Sequence, residues 1–340
     1  MQIGIVEKPG ILKIADRDVP KVTKPDDVLI KVKRVGICSS DIHIFHGKNP
    51  FAVYPRVWGH EFVGEVVETG SELTTIQKGA HAVVEPIISC GKCYACLQGR
   101  GNVCESLKVM GVHIDGGCQE YIVVPAANVH ILPDFLPWDE AVLIEPFTIG
   151  AEACCRGNVQ KGDFVLVMGA GTIGLTVMQM AKIAGAKVII SDLVPEKLEF
   201  AKSRGADYII NAKEENVIEK VREITGGMGS NVTVDAVCIK KSFEDAVEVT
   251  SAAGRVVELS FNEIPSEIAP VNIVKKELTI SGSRLEAKCF PVVIDHIKQG
   301  RLPLAGFISK IYPIAEMAKA FDYVDKNNAA LRKVLISMPD

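Results

Sequence analysis

The sequence predicts an α/β plus β protein, with an all-β, barrel-like domain followed by a doubly wound parallel sheet. Three observations carry this expectation. Short apolar runs broken by Pro and Gly fill the first ~130 residues, the spacing of an all-β unit. After Pro137, strand-like and helix-like patterns alternate, as they do in a parallel sheet covered on both faces. The length of 340 residues accommodates two cores at ~150 residues each. Hydrophobic residues at 48% and charged residues at 24% exclude a disordered chain. A net charge of −4 argues against a nucleic-acid partner, which calls for a basic face.

Taken in order, Leu29–Val35 reads as a strand with Lys31 and Lys33 on one face and Ile30 and Val32 on the other. Phe62–Glu68, Ala82–Val84 and Tyr121–Val124 are further strands, punctuated by Pro20, Pro25, Pro50, Pro55 and Pro86. A helix is expected over Ala141–Arg156. Strand 163–168, helix 172–184, strand 187–191, helix 195–204 and strand 207–210 follow, then strand 232–237, helix 241–252 and strand 254–260. The tail from about 285 gives helix, strand, helix and a last strand at Lys333–Ile336, placed back on the first domain. The expected domains are 1–148, 149–286 and a returning segment 287–340.

The uncharged run Phe164–Ala181 is long enough to raise the question of a membrane span. Its Gly169, Gly171, Gly174 and Gln179 fit a buried strand turning into a buried helix instead. Met1–Pro9 has no basic n-region, so a cytoplasmic protein with no membrane partner is expected. Its ten cysteines are then read as thiols.

Gly169-Ala170-Gly171-Thr172-Ile173-Gly174 sits between a buried strand and a helix. There the first glycine permits the turn, the second lets backbone approach a pyrophosphate, and the third packs helix against strand. The N–H groups at Thr172, Ile173 and Gly174 then open the helix toward phosphate. Asp192 ends the next strand, 18 residues after Gly174, where a carboxylate accepts from ribose hydroxyls and repels a 2′-phosphate. The expected cofactor is NAD rather than NADP.

Cys90, Cys93, Cys96 and Cys104 place four thiolates on one short loop. A closed tetrahedral zinc site is structural, because no coordination position is left for substrate. An iron–sulfur cluster is the competing reading, but the last gap is longer than in the cluster-binding run and Glu105 follows the last cysteine. A zinc knuckle for nucleic acid would need more basic residues than Lys92 and Arg100.

Cys38, His60 and Glu61 each read blandly alone, as a core cysteine and a surface His-Glu pair. Beside a dinucleotide loop they suggest a metal. With the Gly59-His60-Glu61 motif, the four-cysteine loop, Gly169–Gly174 and Ile144-Glu145-Pro146-Phe147, the chain resembles the zinc-dependent medium-chain dehydrogenase/reductase (alcohol dehydrogenase) family over its whole length. Tyr54-Pro55-Arg56-Val57, Gly111-Val112-His113 and Asp115-Gly116-Gly117 make it similar to the bacterial polyol and sugar-acid branch. The resemblance implies a GroES-like β-barrel catalytic domain and a Rossmann cofactor domain enclosing a cleft, and a homodimer or homotetramer.

It further implies that Cys38 and His60 bind a catalytic zinc with Glu61 or Glu145 as third ligand. Zinc lowers the pKa of a bound alcohol, whose carbinol hydride passes to NAD. Ser40 and His43 are the implied proton relay and Asp41 the residue orienting His60. Cys238, Ser260, Phe261 and Ser283 are implied cofactor contacts. Phe51, Arg56 and Arg284 are the substrate candidates, the cations being suited to a carboxylate, with Lys48 a further one. The expected activity is oxidation of a secondary alcohol on a polyol or hexonate such as L-galactonate. A threonine-type amino-alcohol dehydrogenase and a nucleotide-binding regulator retaining the fold are the alternatives.

Overall fold

The computed structural model describes residues 1–327 and 331–339. The chain folds into two compact units, Met1–Glu145 with Pro303 onwards, and Pro146–Leu302. Sequence reading placed the return at 287. The helix Cys289–Lys298 instead stays with the second unit.

The first unit is built on Asp27–Ile37, an 11-residue strand. It pairs antiparallel with Glu61–Thr69, with Tyr121–Pro125 and with the last strand, Lys333–Ser337. Val28, Ile30, Val32 and Val35 on it are buried, as apolar strand residues at the centre of a sheet should be. The sheet continues through His81–Val84 and Val129–Ile131 on one side and Ile308–Pro313 on the other. Trp58 and Phe321 close the core of this unit edge to face, with centroids 5.0 Å apart, and the indole N–H donates to Met317 Sδ at 3.2 Å. Trp58 is fully buried and Phe45, partly buried, packs on the same Phe321 ring.

The register of this sheet places the site. Gly36 lies opposite Glu61, and Ile37 opposite Val334. Cys38, Glu61 and Lys333 thus fall at one end of three adjacent strands.

The second unit holds six parallel strands in the order Tyr208–Asn211, Lys187–Asp192, Phe164–Met168, Ser230–Asp235, Thr250–Glu258 and Thr279–Gly282. By chain order this is 3-2-1-4-5-6, the doubly wound Rossmann arrangement. Its core joins Leu166, Ile189, Ile210, Val221, Ala246 and Val256. Sequence periodicity carried one helix to 252, but it ends at Val249 and the strand begins at Thr250. Lys276 explains the early stop: its Nζ donates to the carbonyls of Val247, Glu248 and Thr250 at 3.2, 2.6 and 2.8 Å. Carbonyls turned toward an ammonium no longer continue the helical ladder. Among the described residues, no helix is long and apolar enough to cross a membrane.

Candidate active site

Strand Asp27–Ile37 runs directly into Cys38, which caps the helix Ser39–Phe45. The Cys38 backbone N–H donates to Asp41 Oδ2 at 2.9 Å, fixing the thiol where the helix starts. His60 and Glu61 open the neighbouring strand, His60 7% and Glu61 1% exposed. One donor atom from each of Cys38, His60 and Glu61 lies within 4.8 Å of the others. Thiolate, imidazole and carboxylate together are a zinc-type donor set with a fourth position free.

Three neighbours shape this group. Lys333 is buried, and its Nζ donates to Glu61 Oε1 at 2.7 Å and to the Ile37 carbonyl at 3.3 Å. Glu61 Oε2 has no hydrogen-bond partner and stands where a Gly36 Cβ would collide with it. Gly36 is therefore required by space, and the carboxylate keeps one oxygen for a cation. Asp41 Oδ1 lies 3.5 Å from His60 Nδ1, a charge contact longer than a normal hydrogen bond, which leaves Nε2 as the nitrogen for a metal.

Glu145 is buried at the start of the helix Ile144–Arg156, outside the three-donor group. Burial pushes its carboxyl up to about 7; His60 pulls it down, the Glu61 charge adds to the rise, and Lys333 opposes it. Ser40 and His43 share the helix that begins at Cys38. The Ser40 hydroxyl oxygen is buried without a partner, and His43 is exposed.

The thiols of Cys90, Cys93, Cys96 and Cys104 also converge within 4.8 Å. Sulfur separations of 3.5 Å (Cys93 to Cys96) and 4.0 Å (Cys90 to Cys96) bracket the edge of about 3.8 Å that a tetrahedron of ~2.3 Å zinc–sulfur bonds requires. Backbone N–H groups of Cys96 and Glu105 hold the Cys93 thiol down at about 6, the direction a thiolate ligand needs. Cys154, on the helix Ile144–Arg156, donates its thiol to the Val177 carbonyl at 3.6 Å, and Cys155 beside it is exposed.

The glycine loop has the cradle a pyrophosphate needs. Gly169 has a φ of +97°, and a Cβ on Gly174 would collide with the Gly169 carbonyl. Gly171 has open space where a Cβ would stand and is the N-cap of the helix Thr172–Ile183. Asp192 Oδ2 accepts from Ala170 N at 2.7 Å and Oδ1 from Val194 N at 3.0 Å. Each oxygen retains acceptor capacity for a hydroxyl. The same carboxylate ties the loop to the neighbouring strand.

The remaining candidates scatter. Cys238 follows the strand Ser230–Asp235 with a φ of +65°, and its carbonyl accepts from Ser260 Oγ at 3.4 Å. Phe261 is exposed, with the Arg284 guanidinium 5.7 Å from its ring centroid. Ser283 is buried, its hydroxyl without a partner. Phe51 is half-exposed, its centroid 6.1 Å from that of His113. Arg56 is bound to Asp115 at 2.9 Å, and Asp115 also takes Arg17 at 2.8 Å. That pairing competes with any substrate carboxylate for Arg56. Lys333, Gly36 and Glu258 were not singled out from the sequence. A lone Lys opening a strand reads as a solvated charge, and only strand pairing puts Lys333 on Glu61.

Comparison with known proteins agrees with this geometry. Residues 24–134 match the alcohol dehydrogenase GroES-like domain, and residues 172–299 match the zinc-binding dehydrogenase domain. The starvation-sensing protein RspB of Escherichia coli K12 is 40% identical over the full length of both chains. The L-galactonate-5-dehydrogenase of the same organism is 35% identical over 99% of each. The crystal structure of an alcohol dehydrogenase, rspB of E. coli CFT073, complexed with NADH, matches at a TM-score of 0.94 and 40% identity over 99% of both chains. With the six-stranded parallel sheet, the GroES-like unit and both metal-type clusters in place, the chain belongs to the zinc-containing, medium-chain alcohol dehydrogenase family.

Proposed function

We propose that this enzyme oxidises a secondary alcohol of a hexonate or related polyol with NAD. The observation that carries it is the Cys38–His60–Glu61 group, in which His60 and Glu61 are buried and Glu61 Oε2 lacks any partner. Its relatives, among them an enzyme named for L-galactonate, support the substrate class. Cys38, His60 and Glu61 would hold a catalytic zinc, and Cys90, Cys93, Cys96 and Cys104 a structural one. Gly169–Gly174 and Asp192 would hold the dinucleotide, the carboxylate favouring NAD over NADP. When bound, zinc supplies Lewis acidity at the alcohol oxygen and NAD supplies the hydride acceptor.

The chain's own residues do the rest. Lys333 anchors one oxygen of Glu61 and so aims the other. The Ser40 hydroxyl accepts the alcohol proton as it gives up its own toward His43. His43, one helical turn further on and exposed, hands it to solvent. Glu145 adds a second buried carboxyl near Glu61, its ionisation held back by burial.

The test is NADH formation by zinc-replete protein against hexonates, polyols and threonine. A strong response among the hexonates is expected. A response to threonine alone would replace the substrate class. Silence across the panel, with zinc and NAD both bound, would favour a nucleotide-binding regulator.

A further inference from the structure

The strands Ser230–Asp235, Thr250–Glu258 and Thr279–Gly282 end side by side, with Asp235 opposite Glu258 and Glu258 opposite Gly282. Ligands of a doubly wound sheet sit outside this carboxyl edge, across the point where strand order reverses. Phe164–Met168 leads into the glycine loop and Lys187–Asp192 ends in the ribose-type carboxylate, which assigns those strands to the adenosine half. The other three strand ends then face the nicotinamide half.

On that edge one carboxyl stands out. Asp235 is saturated: its Oδ1 accepts from Val237 N at 2.9 Å and Cys238 N at 3.1 Å, and its Oδ2 from Ser242 Oγ at 2.6 Å. Glu258 is not. Its Oε1 accepts from Ser260 N at 2.8 Å, while Oε2 is buried with no partner. Ser283, whose N–H donates to the Glu258 carbonyl at 2.9 Å, also buries an unpartnered hydroxyl, in a side chain 8% exposed. Two unsatisfied polar groups on adjacent strand ends mark a place that a ligand completes.

The geometry points to Glu258 as the residue that makes this site hold the oxidised nicotinamide in preference to the reduced one. The inference rests on the dinucleotide reading above. The pyridinium ring of NAD⁺ carries a positive charge that NADH lacks, and a carboxylate at a partly desolvated strand end attracts only the charged form. Burial and the Asp235 charge push the Glu258 carboxyl up to about 7, the response of an anion that lacks its counter-ion. Asp235 adds to the negative field from the neighbouring strand. The Cys238 thiol beside it, pushed up to about 12 by burial and by both carboxyls, stays neutral. On the other side Gly282 and Ser283 are uncharged, while the Arg156 guanidinium donates to the Gly282 carbonyl at 3.4 Å and Arg284 lies over the Phe261 ring, 5.7 Å from its centroid.

Titration calorimetry of the full-length, zinc-replete protein at about pH 8.5, above the Glu258 pKa of about 7, tests this with NAD⁺, NADH and ADP-ribose. In E258Q and E258L, NAD⁺ affinity should fall on the order of tenfold while NADH affinity holds or rises slightly. ADP-ribose, which lacks the nicotinamide, should bind all three proteins equally and so show that the loop is intact. Equal shifts for NAD⁺ and NADH, or no shift in either, with ADP-ribose binding preserved, would overturn the role of Glu258. Failure of ADP-ribose to bind the wild type would overturn the dinucleotide reading and this inference with it.

Discussion

At the scale of single residues, the candidate metal centre is governed by two groups that only the fold brings to it. Lys333 enters from the last strand and grips Glu61 Oε1, while Gly36 leaves room for Oε2. Removing the ammonium in K333M leaves a buried carboxylate without its anchor, so zinc affinity at this site should fall about 10- to 100-fold. Competition with a graded chelator measures it, and wild-type affinity in K333M would contradict the role. Truncating the orphan hydroxyl in S40A should lower kcat on the order of 100-fold with NAD affinity unchanged. The four clustered cysteines were legible in the sequence because their spacing is chemically specific, whereas Cys38, His60 and Glu61, bland one by one, were legible through the dinucleotide loop beside them and the family resemblance. Lys333 and Gly36 were not, since a lone Lys or Gly in a strand carries no signal without its partner strand.

At the scale of elements, apolar periodicity located Asp27–Ile37, Glu61–Thr69, His81–Val84, Tyr121–Pro125 and most strands of the parallel sheet, but not Gln2–Lys8, Ile11–Asp16 or Val129–Ile131, and one helix end went wrong where a distant side chain intervenes. The helix expected to reach 252 stops at Val249 because Lys276, beyond the next strand, takes its terminal carbonyls. K276M should cost about 1–3 kcal/mol, read as a lower urea midpoint for the second unit. The end of strand Thr250–Glu258 supplies a pH signature. Glu258 titrates at about 7 in the folded chain, above its unfolded value of 4.5, so its contribution to stability is present at low pH and is lost as pH rises through that interval. The Tm of E258Q should therefore match wild type in acid and gain on it between about pH 4.5 and 7. A constant difference across that range would contradict the burial argument.

At the scale of the whole molecule, the alternation after Pro137 made the parallel sheet legible, and the apolar run at Lys333–Ile336 disclosed the return of the tail to the first unit. The crossing points were less legible. The helix Ile144–Arg156 is continuous through the division at Glu145, and Cys289–Lys298 stays with the parallel sheet, so no break in the pattern marks either boundary. The division of labour between the two units is chemical. One gathers thiolate, imidazole and carboxylate, and the other presents a phosphate cradle. The most direct test of this account is zinc content and NAD reduction measured together on wild type and C38S with a hexonate or polyol substrate. Wild type should carry two zinc ions per chain and turn over, and C38S one zinc ion without turnover, because the four-cysteine site is untouched. Undiminished turnover in C38S, or loss of both ions at once, would contradict it.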